Sequence, residues 1–147
     1  MTAIAGKSDV FENDLLKLIF NGTAIANLAD NAATSPLTNL YVSLHTADPT
    51  EEGNQSSNET AYTGYARIAV ARSGSGWTVT NNSVSPTANI EFGECTASAG
   101  SAITFVGIGT AASGTGKLLY AGALTPNITM AVGVIPRIKT SSTITEN

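Results

Sequence analysis

Apolar and polar residues alternate along several short stretches in the C-terminal three quarters of the chain, most clearly between Leu40 and Thr46. In that stretch every even-numbered residue is apolar or β-branched, and the odd-numbered ones are Tyr, Ser and His. A period of two predicts a strand with one buried face. Pro49 closes the stretch, because it has no N–H group to donate to a neighbouring strand.

The chain before this strand has a different, helical pattern. Four apolar residues recur at helical spacing: Phe11, Leu15, Leu18 and Ile19. They predict a helix at about 9–21 that ends at Asn21-Gly22, where glycine can adopt the left-handed conformation. A helix of this length is marginal in isolation. Its apolar stripe must therefore pack on its own β-domain or on a neighbouring subunit.

The chain after the key strand begins with an acidic, polar segment at 48–63, which we expect to be a long exposed loop. Short apolar runs then alternate with Gly-, Ser- and Asn-rich turns. The runs lie at 65–72, 77–80, 84–86, 88–92, 102–108, 117–121, 124–126, 128–132, 134–138 and 142–145. This spacing predicts a mainly β protein, an antiparallel sandwich or barrel-like domain over 36–147, preceded by an N-terminal arm and one helix within 1–35.

Composition restricts the partners of this domain. Of the 147 residues only 12% are charged, about half the usual share. Few charges and many small residues favour a surface that packs against other protein, so we expect a homo-oligomer. The net charge is −4 and the seven basic residues are scattered, which argues against direct contact with nucleic acid. No apolar run is long enough for a membrane helix, and the N-terminal residues do not have the pattern of a signal peptide.

The only histidine, His45, is the natural test of an enzymatic function. A Ser-His-Asp triad would use Ser43 or another serine together with Asp48. No Gly-x-Ser-x-Gly motif accompanies them. We therefore interpret His45 as a structural residue at the end of a strand and predict no catalytic residue.

Three other motifs resemble ligand sites but fail on spacing. The Gly-rich stretch 109–117 lacks the first glycine and the final hydroxyl of a phosphate loop, so a hairpin turn is the better interpretation. The carboxylates of 48–59 lack the alternating oxygen ligands of a calcium loop. A single cysteine, Cys95, excludes a disulfide framework and a zinc-cysteine cluster. We predict no cofactor and no metal.

Three stretches together resemble a known family. They are Leu40-Tyr-Val-Ser-Leu-His-Thr-Ala-Asp-Pro49, Glu59-Thr-Ala-Tyr-Thr-Gly-Tyr-Ala-Arg-Ile-Ala-Val70, and Gly107-Ile-Gly-Thr-Ala111 with Gly116-Lys-Leu-Leu-Tyr-Ala-Gly-Ala-Leu124. They resemble small virion structural proteins of tailed bacteriophages, which include head decoration (capsid cement) proteins and tail or tail-fibre proteins.

The resemblance implies a non-enzymatic protein that is made in the host cytoplasm and carried on the virion. The first expectation is a decoration protein on the capsid surface, an oligomer (a trimer by preference) bound to the major capsid protein. The alternative is a tail or tail-fibre component that contributes to host attachment. Candidate interface residues are Phe11, Leu15, Leu18, Ile19, Tyr41, Tyr65, Trp77 and Tyr120.

Overall fold

A computed structural model describes residues 9–25 and 36–147 of the chain. These residues form two compact units, each made of separate stretches of sequence. Of the described residues, the first unit contains 9–25, 36–38, Ala71–Asn89 and Lys139–Asn147, and the second contains Asn39–Val70 and Ile90–Ile138. The predicted N-terminal arm and the predicted boundary at residue 35 lie outside the described residues, so that division stays a prediction.

One helix and nine strands are formed by the described residues. The helix α1 (Asp9–Leu16) continues into a π-helical turn (Lys17–Asn21). The strands are β1 (Asn39–His45), β2 (Ile68–Ala71), β3 (Trp77–Thr80), β4 (Ser83–Pro86), β5 (Ile90–Glu91), β6 (Ile103–Gly109), β7 (Leu118–Ile128), β8 (Arg137–Ile138) and β9 (Ile144–Thr145). The predicted fold class is confirmed: mainly β, with antiparallel sheets after an N-terminal helix.

In the first unit the helix packs on the sheet of its own chain. The sheet has the order β3-β4-β9, and its pairs are antiparallel. Phe20, at the end of the helix, is fully buried and meets Trp77 edge-on, with ring centroids 4.9 Å apart. Gly22 ends the helix in the left-handed conformation, with φ 67°, as predicted. The guanidinium of Arg72 donates to the carbonyl oxygens of Leu18 and Ile19, which satisfies acceptors that a helix end leaves free.

In the second unit the predicted key strand lies at the centre of a sheet with the order β2-β1-β6-β7. β1 and β6 are antiparallel, from the pair Tyr41 and Gly109 to the pair His45 and Phe105. A second sheet pairs β5 with β8. The apolar side of β1 and both ends of β6 are buried. The buried apolar residues are Leu40, Val42 and Leu44 on β1 and Ile103 and Ile108 on β6.

Several strand predictions differ from the structure. The runs predicted at 65–72, 88–92, 134–138 and 142–145 form strands over only part of their length, as β2, β5, β8 and β9. The runs at 117–121 and 124–126 are one continuous strand, β7, which extends through Pro126 to Ile128. The strand predicted at 128–132 ends at Ile128, and the chain turns at Gly133, with φ 91°. Pairing with β6 sets these limits, because Ile128 is the last residue of β7 with a partner, Ile103.

Candidate functional site

The segment at 48–63 is an irregular loop, as predicted, but only about half of it is exposed. Glu51 and Glu52 are exposed, but Gln55, Thr60 and Tyr62 are buried. The segment folds back along β1, where the Thr46 N–H donates to the Asn58 carbonyl and the Thr60 N–H donates to the Leu44 carbonyl. The segment also reaches the second face of β1, where the Ser57 carbonyl accepts a hydrogen bond from the His45 ring, and Ser43 and His45 are both completely buried.

An ion pair between Glu59, in this segment, and Arg67 fixes the segment to the following part of the chain. The Arg67 Nε atom lies 2.7 Å from Glu59 Oε1, and a second guanidinium nitrogen lies 2.8 Å from Glu59 Oε2. The Arg67 side chain is 2% exposed and that of Glu59 17%. The Tyr65 hydroxyl also donates to Glu59, at 2.7 Å. The hydrogen bonds with Glu59 raise the pKa of Arg67. The pKa of Tyr65 is also raised, mainly by burial and secondly by its hydrogen bond to Glu59.

Arg67 also connects this segment to the β6–β7 hairpin. It donates to the Ala111 carbonyl at 2.9 Å and to the Gly114 carbonyl at 2.6 Å. The predicted turn at 109–116 is thereby confirmed as the hairpin between two antiparallel strands. Sequence reasoning did not predict this role of Arg67. The only signal was an arginine beside an acidic segment in an otherwise sparsely charged chain.

Gln55 makes a second connection to the same hairpin and is completely buried. Its backbone N–H donates to the Gly116 carbonyl. Its side-chain Oε1 accepts from the Ala111 N–H, and its Nε2 donates to the Tyr41 carbonyl. A Cβ atom at Gly109 would lie 2.1 Å from Gln55 Cδ, and one at Gly116 would lie 2.2 Å from Gln55 Oε1. Those two positions therefore require glycine while Gln55 fills the space.

His45 makes two hydrogen bonds in the same interior. Its Nδ1 is 2.8 Å from the Ser57 carbonyl oxygen, which can only accept, so Nδ1 carries the proton. Its Nε2 is 2.9 Å from Ser43 Oγ, which donates to it in the neutral ring. Burial lowers the pKa of His45 and so favours the neutral ring. A Cβ atom at Gly107 would lie 2.7 Å from Nε2, so glycine is required there too.

The Ser43–His45 pair has the separation of a nucleophile and its base, but Asp48 does not complete a triad with it. Asp48 accepts a hydrogen bond from the Thr50 N–H, and the Ser57 carbonyl takes the place of the third group. Both Ser43 and His45 are completely buried, so a substrate cannot reach the hydroxyl. The geometry supports the interpretation of His45 as a structural residue.

The described residues contain no group of three or more His, Cys, Asp or Glu side chains placed to hold a metal ion. Cys95 is a free, buried thiol. In the part of the chain that the structure describes, no helix combines the length and apolar character needed to cross a bilayer.

In the first unit, an open groove of about 700 Å³ is lined by Asp9, Val10, Asn13, Lys17, Val79, Asn81 and Asn82.

The structure does not bring the eight candidate interface residues together in one unit. Phe11, Leu15, Leu18 and Ile19 are half-buried on the first unit, where the most deeply buried helix residues are instead Leu16 and Phe20. Trp77, in the same unit, is only 2% exposed. Tyr41, Tyr65 and Tyr120 are half-buried in the second unit. Their role at an interface stays a prediction.

Comparison with known proteins matches one family, described as Podophage GP4 fiber I protein gp80, over residues 6–146. The chain belongs to this family. The resemblance to phage virion structural proteins is thereby confirmed at that level. The family's description names a fiber protein, so it fits the tail-fibre alternative better than the head decoration role. A search of curated proteins found no match.

Proposed function

We propose that this protein is a non-enzymatic structural component of a phage tail fibre, carried on the virion. The observation that carries the proposal is the match to the gp80 fiber family along almost the whole chain. This function replaces the capsid-surface role, and the major capsid protein as partner, that we first expected. The partners we propose are other copies of this chain and neighbouring tail proteins.

The second unit supports a structural role. Its one Ser-His pair is sealed from solvent. The segment at 48–63 and the β6–β7 hairpin are joined by Arg67, Gln55 and Ser56, whose hydroxyl donates to the Gly114 carbonyl. Loops held by side chains in this way keep one shape, which suits a part that transmits force or displays a fixed surface. Chemistry on a substrate would instead require access to Ser43.

Quantifying the protein in purified virions tests the location. Against the major capsid protein as internal standard, we expect a small fraction of its copy number, and antibody-linked gold should label the tail. A phage that lacks the gene should adsorb poorly, while its heads keep the wild-type resistance to heat. A copy number close to that of the major capsid protein, with gold on the head, would return the protein to the decoration class.

A substitution tests the absence of catalysis. Ser43→Ala removes the hydroxyl beside His45 Nε2 and little else, so virions that carry it should assemble and keep their infectivity. Particles that assemble normally but lose infectivity would show that the hydroxyl has a chemical task. A glycan or peptide hydrolysis assay on the purified protein and on the Ser43→Ala variant would then identify it.

A further inference from the structure

β7 is the last strand of its sheet, and no strand formed by residues 9–25 or 36–147 pairs with its outer edge. It is 11 residues long and has no charged residue between Leu118 and Ile128. Proteins usually protect a long edge strand with charges, bulges or a covering segment, because its unpaired backbone groups can bind another strand. Apart from Pro126 near its end and two register irregularities, β7 carries few such protections.

The hydrogen bonds of β1 reveal which backbone groups of β7 face outward. The Leu44 N–H donates to the Tyr65 hydroxyl and its carbonyl accepts from the Thr60 N–H, so both groups point away from β6. In an antiparallel pair, hydrogen-bonded and non-hydrogen-bonded residues alternate. Leu44 lies opposite Val106, so the backbone groups of Val106 must point the other way, toward β7.

Val106 lies opposite Gly122 on β7, which makes this pair a hydrogen-bonded one. The flanking residues Ala121 and Ala123 then direct their N–H and carbonyl groups outward. Both have small, exposed side chains. Each chain therefore offers two donors and two acceptors along an edge that no large side chain obstructs.

We propose that this edge binds the same edge of a second copy of the protein, antiparallel, about a two-fold axis near Gly122. The pairing extends the sheet from four strands in one chain to eight across two. It gives the expected self-association a defined surface. It does not depend on where in the virion the protein lies.

Charge favours a second copy in the antiparallel direction. An uncharged edge brings no repulsion to an identical edge, although the chain as a whole has a net charge of −4. Lys117 precedes the strand. A parallel arrangement would place two Lys117 side chains next to each other, whereas the antiparallel one separates them by about 34 Å, at about 3.4 Å per residue, and sets each beside an uncharged segment.

Sedimentation of the full chain over a wide concentration range tests the proposal. The wild type should form dimers reversibly. Ala123→Pro removes an outward N–H without taking a donor from the β6 ladder, and should weaken the dimer about tenfold or more. Ala123→Val is the matched control: it keeps the donor and suits a strand, so the dimer should remain.

Amide hydrogen exchange in the wild type tests the same surface without a substitution. The amides of Tyr120 and Gly122 should be protected at every concentration, and those of Ala121 and Ala123 only where dimers form. The proposal is overturned by a chain that stays monomeric, by a strict trimer, by a dimer that a folded Ala123→Pro variant retains, or by Ala121 and Ala123 exchange rates that do not change with concentration.

Discussion

Glu59 and Arg67 form an ion pair in which the Arg67 side chain has almost no contact with solvent. The Arg67 side chain is 2% exposed, and the other acceptors of its guanidinium are the carbonyl oxygens of Ala111 and Gly114. An arginine cannot escape its charge by losing a proton. Without Glu59 it would stay charged and buried, with only two dipoles to compensate it.

We therefore expect Glu59→Gln to lower the free energy of unfolding by about 3 kcal/mol, the lower end of the range for a broken buried pair, because Glu59 is partly exposed and the carbonyl acceptors remain. Urea denaturation measures it. The control is Glu91→Gln, which breaks the ion pair with Arg137 on the surface, where the two side chains are about half exposed. That change should cost less than about 1 kcal/mol. Equal losses in the two variants would contradict a buried pair.

His45 makes stability depend on pH in a defined direction. Burial is the main cause that lowers its pKa, and the nearby Arg67 adds to it, while the Ser57 carbonyl and Glu59 act in the opposite sense. The folded state therefore binds a proton less readily than the unfolded state, whose histidine titrates near 6.5. The stabilising contribution is complete above that pH and is lost as the pH falls from about 6.5 through the folded pKa.

His45→Asn separates this effect from other titrations. Asn can still donate to the Ser57 carbonyl and cannot gain a proton. The variant should be less stable at neutral pH because it is smaller, yet its stability should change less than that of the wild type between about pH 6.5 and 5. Urea midpoints measured across that range give the two slopes. Parallel slopes would mean that His45 is not the group responsible.

At the scale of elements, close approach explains the glycines of the β6–β7 hairpin. Gly109 and Gly116 face Gln55, and Gly107 faces His45, at distances that leave no space for a Cβ atom. The Gly-rich stretch that resembles a nucleotide-binding loop in sequence is thus the β6–β7 hairpin turn, against which Gln55 of the 48–63 segment packs. Packing requires glycine at 109 and 116, and the positive φ of 74° favours it at 114, so no phosphate is needed to explain them.

Gly109→Ala should therefore destabilise the protein by about 1–3 kcal/mol, the usual cost of overpacking an interior. Gly74→Ala is the matched control, because a Cβ atom there meets nothing within 4 Å and the residue has no positive φ. That change should be neutral or slightly stabilising. In thermal denaturation, adding Gln55→Ala to Gly109→Ala should cost less than Gln55→Ala costs alone, since the clash is then gone. Additive losses would show that Gln55 does not fill the space beside Gly109.

Local pattern predicted the elements that keep one face in the core. The end of the helical segment at Gly22, the strands β1, β3 and β6, and the hairpin after β6 followed from periodicity and turn residues. The position of the 48–63 segment did not, because Gln55 and Thr60 are polar residues whose burial depends on partners distant in sequence. The continuity of β7 through Pro126 was likewise decided by its neighbour β6.

At the scale of the whole molecule, the chain passes between the two units at four places, after residues 38, 70, 89 and 138. Strand β9 pairs with β4 in the first unit, although the intervening chain at 90–138 belongs to the second. If the second unit unfolded alone, that connection would become a long flexible loop. Closing such a loop costs conformational entropy, which destabilises the first unit. The first unit does not bear this cost while the second unit is folded.

We therefore expect the two units to unfold in one transition, and the aromatic residues provide separate probes of each. The only tryptophan, Trp77, lies in the first unit, and all four tyrosines lie in the second. Tryptophan fluorescence and tyrosine absorbance should give the same urea midpoint, and Glu59→Gln in the second unit should move both midpoints equally. A tyrosine transition that precedes the tryptophan transition, or a substitution that moves only one of them, would mean that the units unfold independently and that the connections between them contribute little to stability.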